Sequence, residues 1–282
     1  MVAVETPVQQ RPILTICFTL LIIAQVGMSI LLLTIILANI RRAAAFYNFL
    51  VITWIGVPIY LLLLYTGEYR KESVRQDVCA LQAVLKHGLD SAFSSALFML
   101  ALESWRLIAY GTSQSSSGSG KLLTGSLLSI PWVHFVAYST TTALLYDAHP
   151  ENVHRNTNSF YCTLHNDVLG IVQATEVILT VLATFFFERK KIKKAAANMN
   201  IAKDLDLSTF VRLIAITLWQ TIGILSNAKS FSQKLLHMEA LTYLSYAILA
   251  SVPLMVFLVF SSQKDIILTW YYWKSLDPTA MI

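Results

Sequence analysis

The run VLKHGLDSAFSSA, residues 84 to 96, sets Lys86, His87 and Asp90 inside an otherwise apolar stretch. Gln82, Lys86, Asp90 and Ser94 recur every four residues, so on a helix they form one stripe. His87, Ser91 and Ser95 form the adjacent stripe. Glu176 is the acidic residue of a second apolar run, 168–187. At the rise of a helix, Lys86 lies roughly 10 Å and Asp90 roughly 17 Å below Cys79, and Glu176 roughly 12 Å below the start of its own run. A lysine with carboxylates at matching depth can do two kinds of chemistry. It can form the polar floor of a cavity that receives a ligand or a proton, or it can latch two helices as an ion pair. His87, His134 and Asp90 lack metal-ligand spacing, so no metal, cofactor or hydrolytic enzyme is expected. A lone membrane histidine such as His134 is read as helix packing.

Of the 282 residues that carry these groups, 56% are hydrophobic and 13% charged. Soluble domains carry about a quarter charged residues, so this is the composition of a polytopic membrane protein. A span needs roughly 20 apolar residues. Seven runs qualify, at about 13–40, 43–67, 78–105, 122–146, 168–187, 207–228 and 240–263. They are continuous rather than alternating, which excludes transmembrane strands. The opening MVAVETPVQQRP has no basic n-region, and the first run is too long for a signal peptide, so it reads as a true span. GTSQSSSGSG, before the fourth run, reads as a flexible linker. The expected fold is therefore all-α: one integral membrane bundle of seven transmembrane helices.

Lys and Arg in the short loops orient the bundle. They concentrate on one side, led by ERKKIKK (188–194), and this places the N-terminus outside and the C-terminus inside. The tail 264–282 opens with KDIILTWYYWK. If helical, Ile266, Ile267, Trp270, Tyr271 and Trp273 fall largely on one side, as in an amphipathic helix in the inner interface.

Under this topology Cys79, atop helix three, and Cys162, in the second outer loop, share the oxidising side, while Cys17 is buried in helix one. One disulfide pinning the loop over the bundle mouth fits this arithmetic, with two free thiols as the alternative. At the inner end of helix three, Glu103 and Arg106 sit one turn apart. They are either snorkelling interfacial residues or a charge switch, with Asp204 and Asp206 as possible partners. Arg189, Lys190, Lys191, Lys193 and Lys194 anchor the protein to anionic lipid and also offer a surface to an inner partner. Pro58, Pro131 and Pro253 lie within spans and mark hinge points. Trp219 is either core packing or a toggle beneath the cavity.

This layout resembles a G-protein-coupled receptor: seven helices with N-out topology, a cysteine atop helix three paired with one in the second outer loop, a basic third inner loop, a proline in helix seven and an amphipathic eighth helix. More narrowly, NFLVITWIGVPIYLLLLYTGEY followed by VCALQAVLKHGLD resembles an orphan group of seven-helix receptor-like proteins of basidiomycete fungi. The likeness covers the whole chain in layout and is specific over helices two and three. Helix three ends Glu103-Ser104-Trp105-Arg106, where the rhodopsin-like class sets an acid directly before arginine. The N-P-x-x-Y pattern of helix seven is absent.

The resemblance implies a plasma-membrane receptor for an unknown extracellular ligand, with Gln82, Lys86, His87, Asp90, Glu176 and Trp219 as ligand-contact candidates. It implies a heterotrimeric G protein against Glu103, Arg106 and the basic run. The partners are then the lipid bilayer, the ligand and the G protein, with no nucleic acid. A microbial rhodopsin would need a lysine in 240–263, and there is none. The remaining rival is a small proton-coupled carrier using Asp90, Glu176 and Lys86, although no internal repeat is visible.

Overall fold

A computed structural model describes residues 11–40, 42–71, 73–110, 118–155, 159–197 and 239–275, with Ala215, Ile216 and Trp219. The fold is mostly helical. Helix α1 spans Arg11–Leu37, α2 Ala44–Tyr60, α3 Gln76–Tyr110, α4 Gly118–Ala148, α5 Asp167–Ala197, α6 Glu239–Ser261 and α7 Lys264–Ser275. Among the described residues, three helical segments are long and apolar enough to cross a membrane: Pro12–Leu37, Asp167–Thr184 and Tyr243–Ser261. The apolar part of α2 is shorter, and α3 carries the charged residues of the polar stripes. The expected span at 207–228 lies outside the described residues except for Ala215, Ile216 and Trp219, which are helical.

Helical backbone satisfies its own polar groups, which is what an apolar solvent demands. The outward faces agree with this. Ile16, Ile23, Val26 and Ile30 of α1 and Val168, Ile171 and Leu179 of α5 are all exposed. Such faces mark a surface that meets lipid or protein rather than water.

Local signals set the ends. The Asn166 side chain accepts the Leu169 N–H at 2.9 Å, an N-cap for α5, and Asp167 adds negative charge to its first turn. Beyond α2 a single turn, Leu62–Tyr65, leads to Gly67 at φ 73°, the left-handed region that glycine enters without penalty. One expectation needs correction: helix α4 begins at Gly118, so the end of the expected linker is helical. The all-α expectation holds for the body of the fold. The loop between α4 and α5 adds a short antiparallel hairpin of β1 (Val153–Arg155) and β2 (Cys162–Leu164), with His154 opposite Thr163. Three-residue strands show no readable alternation.

Helix α3 is the hub, packing against α2, α4, α5 and both strands. Two positions depend on the absence of a side chain. A Cβ on Gly56 of α2 would sit 2.6 Å from Leu89 Cδ2, and one on Gly88 of α3 would sit 2.6 Å from the Phe135 carbonyl of α4. Small residues allow this closeness between membrane helices. Asn48 of α2 adds a polar clamp: its amide donates to the Leu128 carbonyl at 3.1 Å, and its oxygen accepts Trp132 Nε1–H at 2.9 Å. At the other end, α7 docks on α1. Trp270 Nε1–H donates to Thr34 Oγ1 at 2.8 Å, Ile266 is fully buried, and Asp265 pairs with Arg42. Ile267 and Tyr271 remain exposed, so the apolar residues expected on one side of α7 divide between docking and the surface.

Candidate functional site

The bridge between Cys79 and Cys162 is formed, joining the start of α3 to β2. Beneath it Gln82, fully buried, spends its side chain on backbone. Its amide donates to the Ile59 and Tyr60 carbonyls at 3.0 and 3.3 Å, and its oxygen accepts the Cys162 N–H at 2.9 Å. Gln82 thus locks the end of α2, the top of α3 and the hairpin into one unit.

One turn deeper, Lys86 and Asp90 pair within α3, Nζ to Oδ2 at 2.7 Å. The Tyr60 hydroxyl of α2 donates to Asp90 Oδ1 at 2.5 Å. Lys86 is buried, and its ammonium lies 4.7 Å from the centroid of the Tyr161 ring, supplied by the loop. The charge is therefore met by a carboxylate on one side and an aromatic face on the other.

His87 faces the other way, toward α5 and β2. Gln173 Nε2 donates to the His87 carbonyl at 3.1 Å, which turns the amide oxygen toward the ring, 2.9 Å from Nδ1. Nδ1 therefore donates, and Nε2 meets the Thr163 hydroxyl at 3.1 Å, so both ring nitrogens are used.

Glu176 does not join Lys86 and Asp90, contrary to what its depth suggested. Its carboxylate takes the Ser91 hydroxyl at 2.8 and 2.7 Å and His134 Nδ1 at 2.6 Å, with Tyr138 also against it. Helices α3, α4 and α5 meet at this one group. Reading His134 as simple packing understates it: the histidine carries a ring nitrogen to within 2.6 Å of the Glu176 carboxylate from a third helix. A side chain's partner across helices leaves no trace in the spacing along one helix, so only pairing the depths of spans four and five would have raised it.

Trp219 lies apart from both groups. Its indole N–H donates to Ser251 Oγ at 2.9 Å, and that hydroxyl donates to the Ile248 carbonyl. At the far end of α3, Glu103 is buried and accepts the Ala45 N–H at 3.0 Å, so it caps the start of α2, where no local side chain does. Arg106 stands 3.6 Å from it. Asp204 and Asp206 lie outside the described residues. Arg189, Lys190, Lys191, Lys193 and Lys194 fall on the helical continuation of α5.

Outside the spans, Glu68 is held below the ordinary carboxylate range chiefly by its 2.6 Å hydrogen bond from Lys71. Arg155 donates to the carbonyls of Tyr69 and Lys71, tying β1 to the loop between α2 and α3. Among the described residues, no three His, Cys, Asp or Glu side chains gather as a metal site requires. No protein-family model matches the chain, and no curated protein matches it.

Proposed function

We propose that this chain is a seven-helix receptor of the G-protein-coupled layout, akin to the orphan fungal group that helices two and three resemble. In this reading the N-terminus lies outside, the hairpin faces the exterior and the basic end of α5 faces the cytoplasm of a plasma membrane. The carrying observation is the hairpin stapled to α3 and laid against a polar floor of Lys86, Asp90 and Tyr60. A ligand arriving from outside meets that assembly first. It shifts the bundle only by binding one arrangement of helices better than another. Gln82 and His87 bond to the hairpin, and Lys86 lies under Tyr161 with Asp90 beside it. Glu176 couples α5 to the same helix from its other side, and the basic run carries the movement to a G protein.

The test is nucleotide exchange on purified heterotrimeric G protein, with the chain reconstituted in liposomes. Exchange faster than with empty liposomes supports the reading. One observation favours a second reading: the His134–Glu176 pair is protonatable and intramembrane, as a proton-coupled carrier requires. No acceleration of exchange, together with proton-driven solute flux that Glu176→Gln abolishes, replaces the receptor with a carrier.

A further inference from the structure

Loops ordinarily run over a protein's surface. The segment Ser159–Cys162 instead enters the bundle: Ser159, Phe160, Tyr161 and Cys162 are 1, 1, 7 and 0% exposed. The Phe160 ring packs against Phe18 of α1 at 6.3 Å, Tyr60 of α2 at 5.8 Å and Tyr246 of α6 at 6.3 Å between centroids. The Tyr161 ring meets Tyr60 at 5.8 Å and Tyr246 at 6.1 Å, with the Lys86 ammonium over it. The inserted backbone is satisfied locally. The Ser159 hydroxyl donates to the Tyr161 carbonyl and accepts the Tyr161 N–H, and the Cys162 N–H reaches Gln82.

Four helices thus build an aromatic enclosure with one ammonium in its wall, and two rings lent by a loop fill it. We infer that this enclosure is a binding site for an aryl group, that Phe160 and Tyr161 are its tethered occupants, and that the external ligand is an aromatic compound whose ring replaces Tyr161 over Lys86. Asp90 already neutralises Lys86, so the ligand needs no second carboxylate; the open side of the ammonium asks for a π face. The surrounding rings favour edge and face contacts with an aryl group. Withdrawal of the loop puts at stake the Gln82–Cys162 bond and a hairpin of two three-residue strands, and the Cys79–Cys162 bridge keeps the loop tethered. The role of the ligand rests on the receptor reading; the tethered occupancy does not.

Cys17, the free cysteine, is 1% exposed in the same buried cluster as Phe160 and Tyr161, and so reports on the enclosure. The full chain in detergent micelles, bridge intact, is treated with a cationic methanethiosulfonate, and Cys17 labelling is followed by mass spectrometry. The wild type and Tyr161→Phe, which keeps the ring, stay protected. In Tyr161→Ala labelling accelerates about tenfold or more, since reaction follows local opening. Adding p-cresol, the tyrosine side-chain analogue, restores protection to Tyr161→Ala. Equal labelling of wild type and Tyr161→Ala, or no protection by p-cresol, overturns the proposal. Should Tyr161→Ala not fold by circular dichroism, Tyr161→Val is read by the same two outcomes. No G protein enters these measurements, so a failure here is distinct from a failure of the receptor reading.

Discussion

The two sides of α3 solve one problem differently. Toward α2, Lys86 and Asp90 neutralise each other one turn apart on the same helix, and Tyr60 and Tyr161 finish the job. Toward α5, Glu176 has no such neighbour and draws on Ser91 and His134, from two other helices. A pair held within one helix survives when neighbouring helices move. A carboxylate shared by three helices fixes their relative positions, because moving any one of them strips a partner from a charge in an apolar medium. If Tyr161 is a tethered occupant, the first arrangement suits a floor that persists when the loop withdraws. The second suits a joint.

The largest effect separating the two sides is expected from Asp90→Ala. Asp90 is half-buried but Lys86 is buried, so removing the carboxylate strands the ammonium, and up to about 3 kcal/mol of stability is lost. Lys86→Met combined with Asp90→Leu recovers most of it, as read by thermal melting in detergent. If the double variant is as unstable as Asp90→Ala, the pair is more than self-contained. Of comparable size is the disulfide: Cys162→Ser costs about 2–4 kcal/mol. Hydrogen exchange should rise in the hairpin and at the top of α3 while the segment around Glu176 keeps its protection. Exchange rising equally at Glu176 would merge the two sides into one unit.

A smaller effect measures the joint. A double-mutant cycle of His134→Ala and Glu176→Gln should give a coupling of about 1 kcal/mol, the usual scale for polar contacts between membrane helices. The same cycle with Lys86→Met in place of His134→Ala should give almost none. The smallest effect lies outside the membrane. The bond from Lys71 lowers Glu68 below its ordinary value, so this contribution is present above about pH 4, where the unfolded carboxyl is ionised. It fades as pH falls through the lower folded value. Glu68→Gln should remove that acid-side slope in hairpin exchange and leave the interior cycles untouched.

Much of the frame was legible because its signals are local or compositional. The helical character, the three membrane-length apolar segments among the described residues, the inward polar face of α3, the helical tail and the partnership of Cys79 with Cys162 follow from patterns within one segment or from the count of cysteines. The pairing inside the bundle did not. Lys86 and Glu176 share a depth, yet an i,i+4 carboxylate on the same helix wins, because Asp90 reaches Lys86 whatever the neighbours do. His134 looked incidental because the Glu176 it serves is 42 positions away. Glu103 read as either a snorkelling residue or a switch, and its bond to the Ala45 N–H was not legible because the uncapped start of α2 lies 58 positions away. The inward plunge of Phe160 and Tyr161 was hidden for another reason. Two aromatics in a polar loop carry no period, and only the enclosing rings of Phe18, Tyr60 and Tyr246 reveal where they go.

The packing of α1 has a consequence for biogenesis. Gly27 of α1 lies so close to α6 that a Cβ there would stand 2.8 Å from the Phe257 ring, and Thr34 waits for Trp270 of α7. Ribosomes deliver α1 before any other described helix and these two after all the rest. That face of α1 therefore stays without these partners until α6 and α7 emerge. In a chain stopped before α6, Gly27 and Thr34 would meet neither Phe257 nor Trp270, so this seam closes late in the order of synthesis.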